Sequence, residues 1–108
     1  MTNSLPASSL PTLRQLQFLA ALAAHGGFIK AAEAVGVTQP TLSAGIKELE
    51  ATLGVRLVER GRAGITLTSA GEETVARAMR VLTEVEELAR AVRGASAPLA
   101  LSLIHISQ

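Results

Sequence analysis

The chain has 108 residues, 48% of them hydrophobic and 2% aromatic, with no cysteine and a formal charge of +1. That length allows a single domain with an appendage but not two full cores, and the lack of cysteine excludes disulfides, thiolate chemistry and cysteine-ligated metal. Hydrophobic residues drawn chiefly from Ala, Leu and Val favour closely packed helices over an aromatic-rich β-sandwich; with no secretory signal and no run of about 18 apolar residues, a cytoplasmic location is expected and a membrane partner is not.

Met1 to Pro11 mixes Ser, Pro and Asn without periodicity and reads as a disordered leader. Thr12 and Gln15 then stand at capping-box spacing, and Leu13, Leu16, Leu19, Ala20 and Ala23 form a helical stripe that stops at Gly26-Gly27. His25 lies in the last turn, where a partly protonated imidazole suits the negative helix end. No second His, Cys or carboxylate stands at ligand spacing, so neither a metal nor another cofactor is expected. Phe28 reads as a core plug in preference to a base-stacking residue.

From Phe28 to Lys47 the pattern is two short helices joined by a tight turn. Ala31, Ala32 and Val35 form the apolar side of the first, Gly36 can take the left-handed conformation that ends it, and Val37 fills the corner. Thr38 can cap the second helix, with Pro40 in the first turn, where a missing amide hydrogen removes no internal bond. Leu42, Ile46, Leu49 and Leu53 recur on one stripe. Pro40, Ala44 and Lys47 fall opposite, and Gln39, Thr41 and Ser43 are displayed around the opening turn. This is the helix-turn-helix arrangement, whose second helix enters the major groove by its amino end. Gln can pair with adenine, Thr and Ser can reach bases or phosphates, and first-turn amides attract phosphate. Capping uses the same groups, so an ordinary capped helix start is the alternative.

Gly54 suits a helix stop, and Val55 to Arg60 and Ile65 to Thr68 are β-prone runs around the loop Gly61-Arg62-Ala63-Gly64. Beside a helix pair they read as a hairpin wing over 55–68 whose Arg60 and Arg62 meet phosphate or a narrow groove; the alternative is a solvated hairpin. Residues 1–64 carry a net charge of +2 and the remainder −1, so the cationic excess lies with the helix pair. So few cations predict weak binding by one copy and a need for two on one duplex.

Ser69 and Glu72 stand at capping-box spacing and open the longest helix, running to about Arg93. Val75, Met79, Leu82, Val85, Ala89 and Val92 form a narrow seam flanked by charge, a pattern that usually pairs with another helix. The natural partner is a second copy of the chain, with the first helix covering only the seam's first turn or two. Gly94 to Pro98 is linker-like, and Leu99 to Gln108 alternates weakly and could begin a strand, which without partner strands would be disordered, sticky or cut off from a missing domain. No carboxylate pair, activated nucleophile or metal cluster can be assembled, so an enzyme is not expected. A protein-interaction module built on the same scaffold is the second functional hypothesis.

The order and spacing of Leu16-Gln17-Phe18, Phe28 with Ala31-Ala32, Val37 to Ser43, Ile46 with Leu49-Glu50, Leu53 to Leu57, Glu59-Arg60 and Leu67-Thr68 with Ala70-Gly71 carry a resemblance. Over Leu13 to Arg93 the chain resembles the amino-terminal DNA-binding domain and linker helix of LysR-type bacterial transcriptional regulators. Gln39 to Ser43 with Ile46-Lys47 is most similar to the peroxide-responsive activators. The resemblance implies a mainly α fold: a winged helix-turn-helix over 12–68, with a three-helix core and a hairpin wing, then a linker and dimerisation helix over 69–93. It implies double-stranded DNA as partner, a homodimer on an interrupted inverted repeat, and RNA polymerase as a further partner of an intact parent. Contacts are implied at Gln39, Pro40, Thr41, Ser43 and, from the wing, Arg60. Thr38, Lys47, Arg56 and Arg62 complete the candidate DNA-binding set.

Two departures stand out. Ala44-Gly45 replaces a common Arg-Gln, which implies a lost DNA contact and about 1 kcal/mol of helix propensity. Ile29 replaces a Ser or Thr expected to cap the preceding helix. Family members continue near Leu99 into a two-lobed effector domain, which 94–108 does not resemble, so the hypothesis here is a fragment ending in foreign sequence. Recovering this tail and a genuine stop codon from independent DNA would sink it.

Overall fold

Thr12 opens the first helix as its spacing predicts: Thr12 Oγ1 accepts from the Gln15 amide at 3.0 Å while Gln15 Oε1 accepts from the Thr12 amide at 3.0 Å. Each bond satisfies an amide hydrogen that has no partner within the helix. The computed structural model describes residues 10–62 and 64–96, and the leader to residue 9 and the tail from residue 97 lie outside them. The elements are α1 (Leu13–His25), α2 (Phe28–Val35), α3 (Gln39–Leu53), β1 (Val58–Gly61), β2 (Gly64–Leu67) and α4 (Ser69–Ser96). This is the expected three-helix core with a hairpin wing and a long helix. α4 runs three residues past the predicted end, within the usual uncertainty of helix termini.

Between α2 and α3 the chain turns at Gly36, whose φ of 76° is open to glycine at little cost. Its amide donates to the carbonyls of Ala32 and Glu33, and the Val37 amide donates to Ala32 O at 3.0 Å, so the last carbonyls of α2 are satisfied within the turn. The start of α2 corrects the sequence reading. Gly27 holds the cap position with no side-chain hydrogen bond, and Ile29 lies inside the helix and exposed. The missing capping hydroxyl is therefore at Gly27.

The core joins Leu16, Phe18, Leu19 and Leu22 of α1 to Phe28, Ala31 and Ala32 of α2 and Leu42, Ile46 and Leu49 of α3. Leu57, Val58 and Ala78 close it from the wing and α4. Leu19, Leu22, Leu42, Leu49 and Leu57 are fully buried, each stabilising the fold by about 1.5–3 kcal/mol. Leu53, expected on the same stripe as Leu49, is exposed, because α3 runs past the edge of the core. Gly45 is buried: a Cβ there would collide with the Phe18 ring. The side chain this position lacks would meet α1, so only Ala44 stands where a DNA contact is forgone.

β1 and β2 pair antiparallel from Val58↔Leu67 to Gly61↔Gly64. Both glycines belong to the ladder, so the connection is shorter than the predicted four-residue loop. Val55, Arg56 and Leu57, predicted as strand, stay outside it. Leu57 turns inward instead, and its amide and that of Val58 donate to Glu50 Oε2 at 2.8 and 3.2 Å.

α4 begins one residue off the predicted capping box. The cap is Thr68, whose Oγ1 accepts from the Gly71 amide at 2.9 Å and donates to Arg56 O at 2.7 Å. Thr68 also donates its own amide to Leu57 O at 3.0 Å, which ties the helix start to the base of the wing. Val75, Ala78 and Leu82 then pack on the core, and Gln17 and Ala20 of α1 line a groove with Met79, Leu82 and Thr83. Cover from α1 therefore extends to Leu82, beyond the predicted turn or two. A second stripe, Val81, Val85, Leu88 and Val92 at spacings of four, three and four, is exposed, with Leu88 at 62%. Met79 is exposed as well, and Ala89 is half-buried.

Candidate nucleic-acid interface

With Leu42, Ile46 and Leu49 turned into the core, α3 leaves its opposite side to solvent, and Gln39, Pro40, Thr41, Ala44 and Lys47 are exposed there. Ser43, between the two faces, is half-buried. Thr38 caps the helix as expected, accepting from the Thr41 amide at 3.3 Å, and its hydroxyl donates to Thr41 Oγ1 at 2.9 Å. Pro40 sits in the first turn. The helix thus presents a fixed, polar amino end.

The wing does not hold its two arginines alike. Arg62 lies exposed at the hairpin turn. Arg60 folds back, its guanidinium carbon 4.3 Å from the centroid of the Phe28 ring, and donates through Nη2 to Ser43 Oγ at 3.1 Å. One side chain therefore ties the wing to both α2 and α3, and the cation–π contact adds about 0.5–1 kcal/mol at such a site. Phe28 is buried, as a core plug should be, and also serves as the platform for Arg60. Nothing in local spacing signals that pairing, because Ser43 and Arg60 are separated by a helix and a turn.

Between α3 and the wing lies a cleft of about 490 Å³ lined by Ser43, Lys47, Arg56 and Arg60, with Glu50 and Glu59 among its walls. Glu50 is held by the Leu57 and Val58 amides, and its role as a clamp was not evident from the sequence. Arg56 approaches Glu59 at 3.5 Å, but their side chains are 69% and 58% exposed, so the pair contributes at most about 1 kcal/mol and leaves the arginine available. On the other side of the wing, Gln39 and Arg60 share a second cleft with His25 and Lys30. The structure brings together Gln39, Ser43, Lys47, Arg56 and Arg60, and sets Arg62 apart at the tip.

A family model described as the bacterial regulatory helix-turn-helix protein, lysR family, matches residues 13–72, more than half of the chain. The chain belongs to the LysR family. It is 48% identical over 92 residues to the HTH-type transcriptional regulator EstR of Acinetobacter baylyi, a match covering 85% of this chain and 31% of that protein. It is 46% identical over 76 residues to the DNA-binding transcriptional dual regulator OxyR of Escherichia coli, covering 70% of this chain and 25% of the relative. The chain thus spans about a third or less of these regulators. Peroxide-inducible activators stand among the relatives beside EstR, and the similarity does not single out that branch.

Among solved structures, a Corynebacterium glutamicum OxyR C206 mutant superposes with a TM-score of 0.77 at 34% identity, over 83% of this chain and 29% of that one. The DNA-binding domain of CbnR in complex with DNA superposes with a TM-score of 0.75 at 36% identity, over 79% of this chain and 98% of that one. The chain carries the DNA-binding domain of a LysR-type transcriptional regulator, a family of regulators. Among the described residues no helix is long and apolar enough to cross a membrane.

Proposed function

We propose that this domain reads duplex DNA as a homodimer, each copy setting the amino end of α3 into the major groove of one half-site. The observation that carries this reading is the solvent-facing turn Gln39-Pro40-Thr41, backed by a closed core, with Arg60 lining a cleft with Gln39 and another with Ser43, Lys47 and Arg56. Gln39 supplies the base-reading amide and Ser43 a hydroxyl. Thr38, Thr41 and the first-turn amides, with Lys47 and the wing arginines, hold backbone phosphates. Linker helix α4 sets the separation of the two readers. The reading assigns the chain no catalytic step, a place in the bacterial cytoplasm with the nucleoid, and RNA polymerase as a partner of the longer regulator. Residues 12–68 are the reader and 69–93 the dimerisation helix.

Gln39→Ala is expected to relax sequence preference, lowering affinity for a selected site about tenfold while leaving random duplex almost unaffected. Arg62→Ala should weaken all sequences alike and lower the salt slope by about one. Fluorescence anisotropy across salt concentrations, with sequencing of the bound fraction from a random duplex pool, measures both. Equal effects of the two substitutions on selected and random duplex would contradict the division of roles. Salt-insensitive behaviour with no duplex affinity would favour the protein-interaction reading.

For the dimer, the exposed stripe Val81, Val85, Leu88 and Val92 supports a seam that leaves Val75 and Leu82 to the core of each copy, with Met79 and Ala89 at its margins. Leu88→Glu, which removes an apolar contact and buries a charge, should raise the dimer dissociation constant at least about tenfold. Sedimentation equilibrium measures it, and an unchanged dissociation constant would remove Leu88 from the interface.

A further inference from the structure

The cations assigned so far lie on one flank of α3. Arg56, Arg60 and Lys47 line the cleft toward the wing, and Lys30 lines the one beside it. The opposite flank, bounded by α1, is a separate hollow lined by Thr12, Arg14, Phe18, Thr41, Ala44 and Glu48 among others. Ala44 offers no donor, and Thr41, whose hydroxyl accepts from Thr38 and keeps its own proton to donate, brings no charge. Among the described residues Arg14 is the one cation lining this hollow.

Arg14 is held there by a short relay. Gly45, having no Cβ, lets the Phe18 ring lie against the backbone of α3. The ring in turn carries the Arg14 guanidinium, whose central carbon is 5.0 Å from the centroid. Arg14 is exposed and forms no ion pair with a described residue. Its charge thus stands beside the opening turns of α3, stacked and still open to an anion.

A helix about 10–12 Å across nearly fills a major groove about 12 Å wide, so phosphate walls stand on both of its sides. Cations on the wing side serve one wall. The far wall would otherwise face Glu48, whose carboxylate repels phosphate. We infer that Arg14 is a further DNA-binding residue, which pairs with a backbone phosphate on the strand opposite the wing and is held in place by Phe18 and Gly45. Stacking restricts the side chain before DNA arrives, so less freedom is lost on contact. The assignment rests on the recognition-helix reading above.

The test uses the whole chain and the random duplex pool, with Arg14→Met, which keeps an apolar stem over Phe18, and Arg14→Lys, which keeps the charge. Arg14→Met should weaken binding to all sequences about three- to tenfold and lower the salt slope by about 0.9, while Arg14→Lys keeps the parental slope. A parental slope for Arg14→Met, or a slope for Arg14→Lys as low as that of Arg14→Met, would overturn the assignment. Sequence enrichment by the parental chain in the same experiment would leave the recognition-helix reading standing. A parental chain that binds no duplex would overturn both.

Discussion

Gly71→Ala is expected to lower the stability of the domain by about 2–3 kcal/mol, the range for overpacking a site whose neighbours cannot move aside. Gly71 is buried in the first turn of α4, and a methyl group there would collide with the Leu57 carbonyl. That carbonyl is a backbone group accepting from the Thr68 amide at 3.0 Å, and the Thr68 hydroxyl caps Gly71 itself and also reaches Arg56 O. Relief of the clash means separating α4 from the base of the wing, which breaks one or more of these bonds. For a domain of this size the loss corresponds to a fall of about 10–20 °C in thermal midpoint, compared at equal protein concentration because dimerisation shifts it. Calorimetry of the two chains decides. A midpoint within about 3 °C of the parental value would show that the carbonyl yields without cost.

Contacts confined to one helical turn were legible in the sequence; contacts across the core were not. Thr12 with Gln15, Thr38 with Pro40 and the turn at Gly36 depend on neighbours two to four positions away, and the structure has each where its spacing placed it. The start of α4 was misplaced for the complementary reason. Ser69 and Thr68 are both competent caps, and Thr68 takes the role because its amide and hydroxyl are also held by Leu57 and Arg56. Periodicity found an apolar seam on α4 but could not tell which stripe α1 would cover. That was decided by Ala78, a small residue fully inside the contact and easily passed over in a search for large side chains. Gly45 was read as a helix-propensity cost, whereas its tertiary role is to admit the Phe18 ring. In the candidate site, Gln39 and Ser43 followed from helical phase. The fold of Arg60 over Phe28 depends on how the wing meets α2, which no local pattern encodes.

Glu50→Ala is expected to cost about 3 kcal/mol, and Glu50→Gln only about 1 kcal/mol. One carboxylate oxygen, Oε2, accepts from the amides of both Leu57 and Val58, and both residues are buried. Removing it strands two amide hydrogens where water reaches them poorly. A glutamine keeps an acceptor oxygen in the same place and loses only the charge assistance, so the two substitutions separate the value of the acceptor from that of the charge. The clamp also bears on DNA binding, because it anchors the chain just before Arg60, and Arg60 joins the wing to Ser43. Glu50→Ala should therefore loosen the wing against α3 and weaken duplex binding under conditions where the helices remain folded. Glu50→Gln should bind nearly as the parent does. Hydrogen exchange of the Leu57 and Val58 amides reports the clamp directly: faster exchange at these two positions in Glu50→Ala, with α1 and α3 still protected, is the expected pattern. Equal stability losses for the two substitutions would mean that the charge, and not the acceptor, holds the wing in place.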